Sequence, residues 1–184
     1  MAIWSLDSAH SSVEFTAKHM VFTTVRGRFT DVEVDLDFDP ARPETSSVKA
    51  EIKAASVATA NDFRDNHLRS PDFLDAEQFP TITFASTKIV PTGGADYRIE
   101  GTLTIKGVSR PVVLDAEFLG IQPDFRKDPA RNRAAFTATT KINRKDWGLT
   151  WNVGLETGGW LVGDAITISI EVAALADAEL ANAA

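Results

Sequence analysis

The sequence predicts an all-β fold, an eight-stranded antiparallel barrel with a short helical insertion that caps one end. Apolar and polar residues alternate with a period of two along most of the chain, which is typical of half-buried strands. Eight such runs occur, and the segment between the third and fourth has helical spacing instead. Closing eight strands into a barrel leaves no exposed edge and a lumen that is filled by side chains or holds one small ligand.

The eight runs share one pattern, with apolar side chains on one face and polar side chains on the other. In the second run, for example, the apolar residues from Val32 to Phe38 alternate with acidic residues. Lys106 and Gly107, between the fifth and sixth runs, favour a tight hairpin turn. The runs cover residues 13–19, 32–38, 48–54, 82–84, 97–105, 112–118, 134–142 and 166–172.

The helical segment covers residues 61–70, with Thr59 or Asn61 as a candidate N-cap. Asp65 and Arg69 are spaced i, i+4, which favours an ion pair. A helix inserted between two barrel strands is expected to lie across an open end as a lid. Its arginines, Arg64 and Arg69, either form a solvated surface or offer guanidinium groups to an anionic head group at the barrel mouth.

Charge and composition exclude several classes of protein. The chain has 19 basic and 26 acidic residues and a net charge of −7, which argues against a nucleic-acid partner. It has no cysteine, so disulfides and thiolate metal sites are excluded. The first residues lack the basic and apolar regions of a signal peptide, and no segment approaches the roughly 18 apolar residues of a membrane span. We therefore expect a cytoplasmic protein without a membrane span.

No pattern of a known catalytic or cofactor site occurs, since a Gly-x-Ser-x-Gly elbow, a phosphate loop and a dinucleotide fingerprint are all missing from the sequence. His10, His19 and His67 lie in separate segments without the spacing of metal ligands. We therefore expect no metal, no cofactor and no catalytic residues. Alternation places His19 on the same face as Phe15, either as a hydrogen-bonded core histidine or as a polar lumen contact to a ligand head group. His19 beside an acid is also the one candidate for a reactive pair.

The aromatic composition favours a dry interior, because the chain has 11 phenylalanines and 1 tyrosine. Four phenylalanines fall on predicted inward faces: Phe15, Phe84, Phe118 and Phe136. Three more surround the helical cap: Phe63, Phe73 and Phe79. Small inward residues leave volume inside the barrel unless bulky partners fill it. The small inward residues are Ala17, Ala50, Ala54, Gly101, Ala116, Ala134 and Ala138.

Several short motifs follow one another along the chain in a characteristic order. They are WSLD at 4–7, VRGRF at 25–29, HLRS at 67–70, GTLTIKGV at 101–108 and RKDWGL at 144–149. In this order and spacing, from Trp4 to about Leu175, the chain resembles the YceI-like family. The resemblance implies a lipocalin-like barrel that binds a polyisoprenoid, such as a prenyl diphosphate or a prenylated quinone, and that forms a homodimer. Many members are exported behind a signal peptide, whereas here the matched region begins almost at the first residue.

We therefore predict a binding protein and not an enzyme, one that sequesters or carries a long-chain isoprenoid lipid in its lumen. The alternative is a structural or interaction barrel with a filled core and no lumen ligand. The domain is expected over residues 1–175, followed by a frayed or disordered tail at 176–184. The candidate ligand-binding residues are Phe15, His19, Phe29, Phe63, Arg64, His67, Arg69, Phe73, Phe84, Phe118, Phe136, Trp147 and Trp151.

Overall fold

One antiparallel sheet of eleven strand segments dominates the computed structural model, which describes residues 3–123 and 132–176. The one α-helix in these residues, α1, spans Asp62–Arg69. The strands are β1 Ile3–Leu6, β2 Ser12–His19, β3 Thr23–Phe29, β4 Val32–Asp37, β5 Ser47–Lys53, β6 Val57–Ala58, β7 Thr81–Gly93, β8 Asp96–Ile105, β9 Val108–Gln122, β10 Arg133–Asn143 and β11 Val162–Ala176.

Three pairs of consecutive segments each act as one barrel strand. β1 pairs with β4 while β2 pairs with β3, and β4 and β3 pair in turn with β5 and β6. The eleven segments therefore form eight barrel strands in chain order. β11 closes the ring because it pairs with both β1 and β2. The predicted eight-stranded antiparallel barrel is confirmed.

The predicted turn and helix are also confirmed. Lys106 and Gly107 both have positive φ values, 49° and 74°, as a two-residue hairpin turn of type I′ requires. Asn61 caps α1, and its Oδ1 accepts a hydrogen bond from the backbone N–H of Arg64 at 2.9 Å. The predicted ion pair between Asp65 and Arg69 is wrong, because Asp65 turns inward and accepts hydrogen bonds from the backbone N–H and the hydroxyl of Thr59.

The up-and-down order of the strands divides the connections between two ends of the barrel. The helix end carries the connections 20–22, 59–80, 106–107 and 144–161, and α1 lies in the second of these. The opposite end carries the connections 38–46 and 94–95 together with Ile3 and Ala176.

Each end contains its own apolar cluster. The helix-end cluster includes Ile52, Val57, Leu74, Phe84, Leu103 and Trp147, all buried. The opposite-end cluster consists of Trp4, Phe38, Ala134, Ala174 and Ala176, with Phe118 and Phe136 packed against it. Ala176 thus belongs to β11, one residue beyond the predicted domain end, and the rest of the predicted tail, 177–184, lies outside the described residues. Among the described residues, no helix has the length and hydropathy needed to cross a membrane.

Candidate functional site

A cavity of about 350 Å³ runs through the barrel between the two apolar clusters. This volume lies in the range of about 300–1,000 Å³ that is usual for ligand pockets. Inward-facing residues of the middle layers, such as Val13, Val34, Val48 and Ile168, line this space and are only half-buried. The interior is therefore hollow, whereas the alternative of a filled core predicted no such lumen.

Six of the predicted binding residues line the lumen. They come from both ends and from the middle of the barrel: Phe15, Phe29, Phe73, Phe84, Phe136 and Trp147. Phe73 and Trp147 belong to connections at the helix end, where the indole N–H of Trp147 donates to the carbonyl of Leu103 at 3.1 Å. Strand alternation placed the inward phenylalanines correctly because it fixes the face on which each side chain lies.

Two glycines let phenylalanine rings lie close to the barrel wall. A Cβ on Gly27 would lie 2.4 Å from the ring of Phe15, and a Cβ on Gly101 would lie 2.4 Å from the ring of Phe84. The small residue Gly101 therefore leaves no free volume, since the Phe84 ring occupies that space. Four of the small inward residues do border the lumen: Ala17, Ala50, Ala116 and Ala138.

Phe118, Phe63 and His19 lie outside the lumen lining. Phe118 packs in the opposite-end cluster, with its ring centroid 4.9 Å from that of Phe38. Phe63, in the first turn of α1, is 86% exposed. His19 ends β2 beyond Ala17, the last residue of that strand that borders the lumen. His19 was predicted as a possible lumen contact, but its side chain does not border the lumen.

The two arginines of α1 hydrogen-bond to the segment that precedes the helix. Arg64 donates from Nε to the Thr59 hydroxyl at 2.7 Å and from Nη2 to the Thr59 carbonyl at 2.9 Å. Arg69 donates to the carbonyls of Ala55 and Val57 at 2.7 and 2.9 Å. Neither lines the lumen, and both guanidinium groups fasten the helix to the β5–β6 region.

His67 and Trp151 pack on the outer side of Phe73. The His67 ring lies 5.0 Å from that of Phe73 and 4.5 Å from that of Trp151. Its Nε2 lies 2.9 Å from Oδ2 of Asp72. These two predicted site residues therefore support Phe73, which is the member of the group that borders the lumen.

Arg144 borders the lumen and was missed as a candidate. It is 3% exposed and donates to the carbonyls of Leu149, Trp151, Val162 and Gly163 and to the carboxylate of Asp164. Burial lowers the pKa of its guanidinium below the ordinary value, and the charge of Asp164 partly opposes that shift. Alternation could have identified Arg144 as an inward residue. The inward-facing positions of β10 are 138, 140 and 142, and the next position in that series is 144.

The barrel wall is interrupted between its first two strands. The β2–β3 ladder stops at Val13–Phe29, and the β1–β4 ladder resumes at Ser5–Asp35. Within the described part of the chain, no strand pairing and no backbone hydrogen bond outside the strand ladders joins residues 6–12 to residues 30–34. The lumen lining reaches this gap and includes Leu6, Ser8, Ser11, Ser12, Thr30 and Val32. Ser8 and Thr30 are exposed, so the lumen approaches the surface here.

The three histidines do not come together. His10 pairs with Asp7, His67 pairs with Asp72, and His19 ends β2. Over residues 3–123 and 132–176, no group of three or more His, Cys, Asp or Glu side chains is arranged to hold a metal ion.

An eight-stranded antiparallel barrel with a largely apolar lumen and a helical cap defines this chain as lipocalin-like. The family model that describes the YceI-like domain matches residues 4–174. A UPF0312 protein of Azotobacter vinelandii is 39% identical over 149 residues, which cover 80% of this chain and 76% of the relative. UPF0312 protein VC_A0539 of Vibrio cholerae is 35% identical over 142 residues, 77% of this chain and 73% of the relative. The chain belongs to the YceI-like family.

Solved structures share the fold. BcnA of Burkholderia cenocepacia matches with a TM-score of 0.78 and 26% identity, over 91% of this chain and 98% of that chain. The Campylobacter jejuni YCEI protein matches with a TM-score of 0.72 and 36% identity, over 85% and 87%. A polyisoprenoid binding domain from Saccharophagus degradans matches with a TM-score of 0.65, over 96% and 99%; at 17% identity, this likeness concerns the fold alone.

Proposed function

We propose that the protein binds a long hydrophobic molecule, a polyisoprenoid, in its lumen and sequesters or carries it. The observation that carries this proposal is the apolar cavity of about 350 Å³ that runs between the two end clusters. The structural neighbour described as a polyisoprenoid binding domain has the same fold, which supports this ligand class. We propose that Phe15, Phe84 and Phe136 contact the chain of the ligand.

The free energy of chain burial is sufficient for tight binding. Each buried methylene contributes about 0.8 kcal/mol, so one five-carbon prenyl unit contributes roughly 3–4 kcal/mol before costs. Association costs on the order of 4–15 kcal/mol, and a few prenyl units exceed that cost. Affinity therefore rests on the apolar wall and does not require a strong head-group contact.

Binding without catalysis is the second part of the proposal. His19, the one histidine considered for a reactive pair, lies outside the lumen lining. Arg144 is the charged residue most deeply placed at the lumen, and its hydrogen bonds to four carbonyls and a carboxylate hold the 144–164 connection in place. Such an arrangement supports a container for a ligand more than a site that moves protons. The interruption beside Ser8 and Thr30 offers the ligand a lateral entrance.

The lumen ligand is tested by organic extraction of freshly purified protein followed by mass spectrometry. We expect a prenyl lipid in the extract. In parallel, Phe15→Ala should weaken binding of a prenyl lipid more than Arg64→Ala, because Phe15 lines the lumen and Arg64 does not. Urea unfolding of each variant provides the folding control, since a truncated core phenylalanine costs about 3–5 kcal/mol of stability. Equal losses for the two folded variants would contradict the proposal.

The cytoplasmic location and the homodimer stay predictions. Cell fractionation checks the first, and light scattering of the purified full chain checks the second.

A further inference from the structure

Among the described residues, the lumen lining offers no cation that is available to a ligand. Of the described residues that line it, Arg144 is the one with a positive charge, and the other charged residues at its border, Glu14 and Glu171, are negative. A guanidinium has five N–H donors. Arg144 uses one at Nε, two at Nη1 and two at Nη2 for hydrogen bonds within the protein. It has no donor left for a phosphate.

The arginines of the helical cap use only part of their five donors within the protein, two for Arg64 and three for Arg69, and neither arginine lines the lumen. Arg64 and Arg69 donate to the carbonyls of Thr59, Ala55 and Val57, as described above. Arg69 also donates from Nη1 to the side-chain oxygen of Asn66 at 3.1 Å. Because a diphosphate needs paired donors in place of its lost water shell, the lumen wall does not provide the usual recognition of such an anion.

Among the described residues that line the lumen, five hydroxyl groups have no hydrogen-bond partner in the protein: Ser8, Ser12, Tyr97, Thr137 and Thr140. Ser8 and Ser12 lie at the interruption of the barrel wall, and Thr137 is off the inward-facing series of β10. Tyr97 on β8 and Thr140 on β10 both line the lumen, on the inward-facing series of their strands. Within the described part of the chain, neither Tyr97 Oη nor Thr140 Oγ1 forms a hydrogen bond to another residue. Polar groups inside proteins are normally hydrogen-bonded, so these two hydroxyls point to a polar ligand atom in an otherwise apolar lumen.

We infer that the lumen selects prenyl lipids whose head group is uncharged and bears carbonyl or hydroxyl oxygens, and that it discriminates against prenyl diphosphates. Tyr97 and Thr140 are the hydrogen-bonding positions for that head group. This inference rests on the proposed function and decides between the two ligand types that the family resemblance implies. The physical basis is the cost of moving a multiply charged diphosphate from water to an apolar wall without an available cation.

The test uses three probes with the same twenty-carbon chain: menaquinone with four prenyl units, geranylgeraniol and geranylgeranyl diphosphate. Tryptophan fluorescence of the full chain follows binding, because Trp147 lines the lumen. We expect the quinone and the alcohol to bind at least about 30-fold more tightly than the diphosphate. Diphosphate binding within threefold of the other two would overturn the inference and leave the proposed function intact. Failure of all three probes would overturn both.

Two variants test the hydroxyl positions. Tyr97→Phe and Thr140→Val keep the shape of the side chain and remove the hydroxyl. Each should weaken quinone binding by about 2–10-fold relative to a hydrocarbon of the same chain, the range for one lost hydrogen bond. Thr102→Val, on the outward face of β8, is the matched control and should leave this ratio unchanged. An equal effect of the lumen variants on quinone and hydrocarbon would remove Tyr97 and Thr140 from head-group recognition.

Discussion

The two ends of the barrel are closed by different interactions. At the opposite end, the rings of Phe38, Phe118 and Phe136 lie with centroids 4.9 to 5.2 Å apart, and Trp4 donates to the carbonyl of Phe38. At the helix end, the guanidinium of Arg144 satisfies carbonyls of a loop that has little regular structure of its own. Ring packing tolerates any apolar group of similar volume, whereas a hydrogen-bonded loop depends on one specific side chain.

The largest effect is expected at the helix end. Arg144→Met should lower the free energy of unfolding by about 3–5 kcal/mol, because it leaves four buried or part-buried carbonyls without their donor. Urea unfolding measures this loss. Arg98→Met, an exposed arginine on β8, is the matched control and should change stability by less than about 0.5 kcal/mol. A loss below about 1 kcal/mol for Arg144→Met would contradict the role given to this guanidinium.

The next effect is expected at the opposite end. Phe38→Ala should cost about 3 kcal/mol, because Phe38 is 5% exposed and contacts two other rings. Phe38→Leu should recover most of that loss, since an apolar side chain refills the space. Arg144→Lys should recover little, because an ammonium lacks the planar set of five donors. The same urea experiment compares the two conservative variants, and Phe22→Ala, at an 83% exposed position, is the control.

Equal recovery by Phe38→Leu and Arg144→Lys would mean that the two ends do not differ in the way described. The comparison therefore depends on the conservative variants more than on Phe38→Ala and Arg144→Met. The latter two remove the interaction at each end entirely, whereas Phe38→Leu keeps an apolar group and Arg144→Lys keeps the positive charge without the planar donors.

Strand alternation was enough to predict the barrel and the inward phenylalanines, because a period of two fixes the face of each side chain. It predicted β2, β4 and β5 but not β1, β3 or β6. β1 and β6 have only four and two residues and offer too little alternation. β3 has seven residues, but Gly27 interrupts the apolar series on its inward face. Phe118 was assigned to the lumen because alternation gives the face of a side chain but not how far the lumen extends along the barrel. Phe118 pairs in regular register with Phe136, and its ring joins the cluster that fills the opposite end.

The polar contacts of the helix end could not be predicted from spacing. Asp65 and Arg69 are correctly spaced for an ion pair, yet each finds backbone or hydroxyl partners near Thr59 and Val57. Those partners come from a segment that the helix approaches only after folding. Buried backbone groups need hydrogen bonds, and that requirement outweighs an exposed pair, which contributes about 0.3–0.5 kcal/mol.

The smallest effect concerns Asp7, which follows β1 near the opposite end. Its side chain is 11% exposed and lies 3.1 Å from Arg133 Nε and 3.0 Å from His10 Nδ1. Burial alone would raise the pKa of this carboxyl, but the hydrogen bonds from Arg133 and His10 outweigh burial and lower the pKa below its ordinary value of 3.8. The stability that ionised Asp7 contributes is therefore complete above the ordinary pKa and is lost as pH falls through the lower pKa of the folded state.

Asp7→Asn should consequently be less stable than the parent chain at pH 7, by about 0.5–1.5 kcal/mol, the usual contribution of one hydrogen bond. The difference should shrink as pH falls below 3.8 and through the lower pKa of the folded state, because the protonated parent then resembles the variant. Urea midpoints at pH 7, 4 and 2.5 measure it. In an Arg133→Gln background the pH-dependent part should be smaller, since one of the donors that lower the pKa is gone. A difference that stays constant with pH would show that Asp7 contributes by its shape alone, and the opposite end would then be held by packing without an electrostatic part.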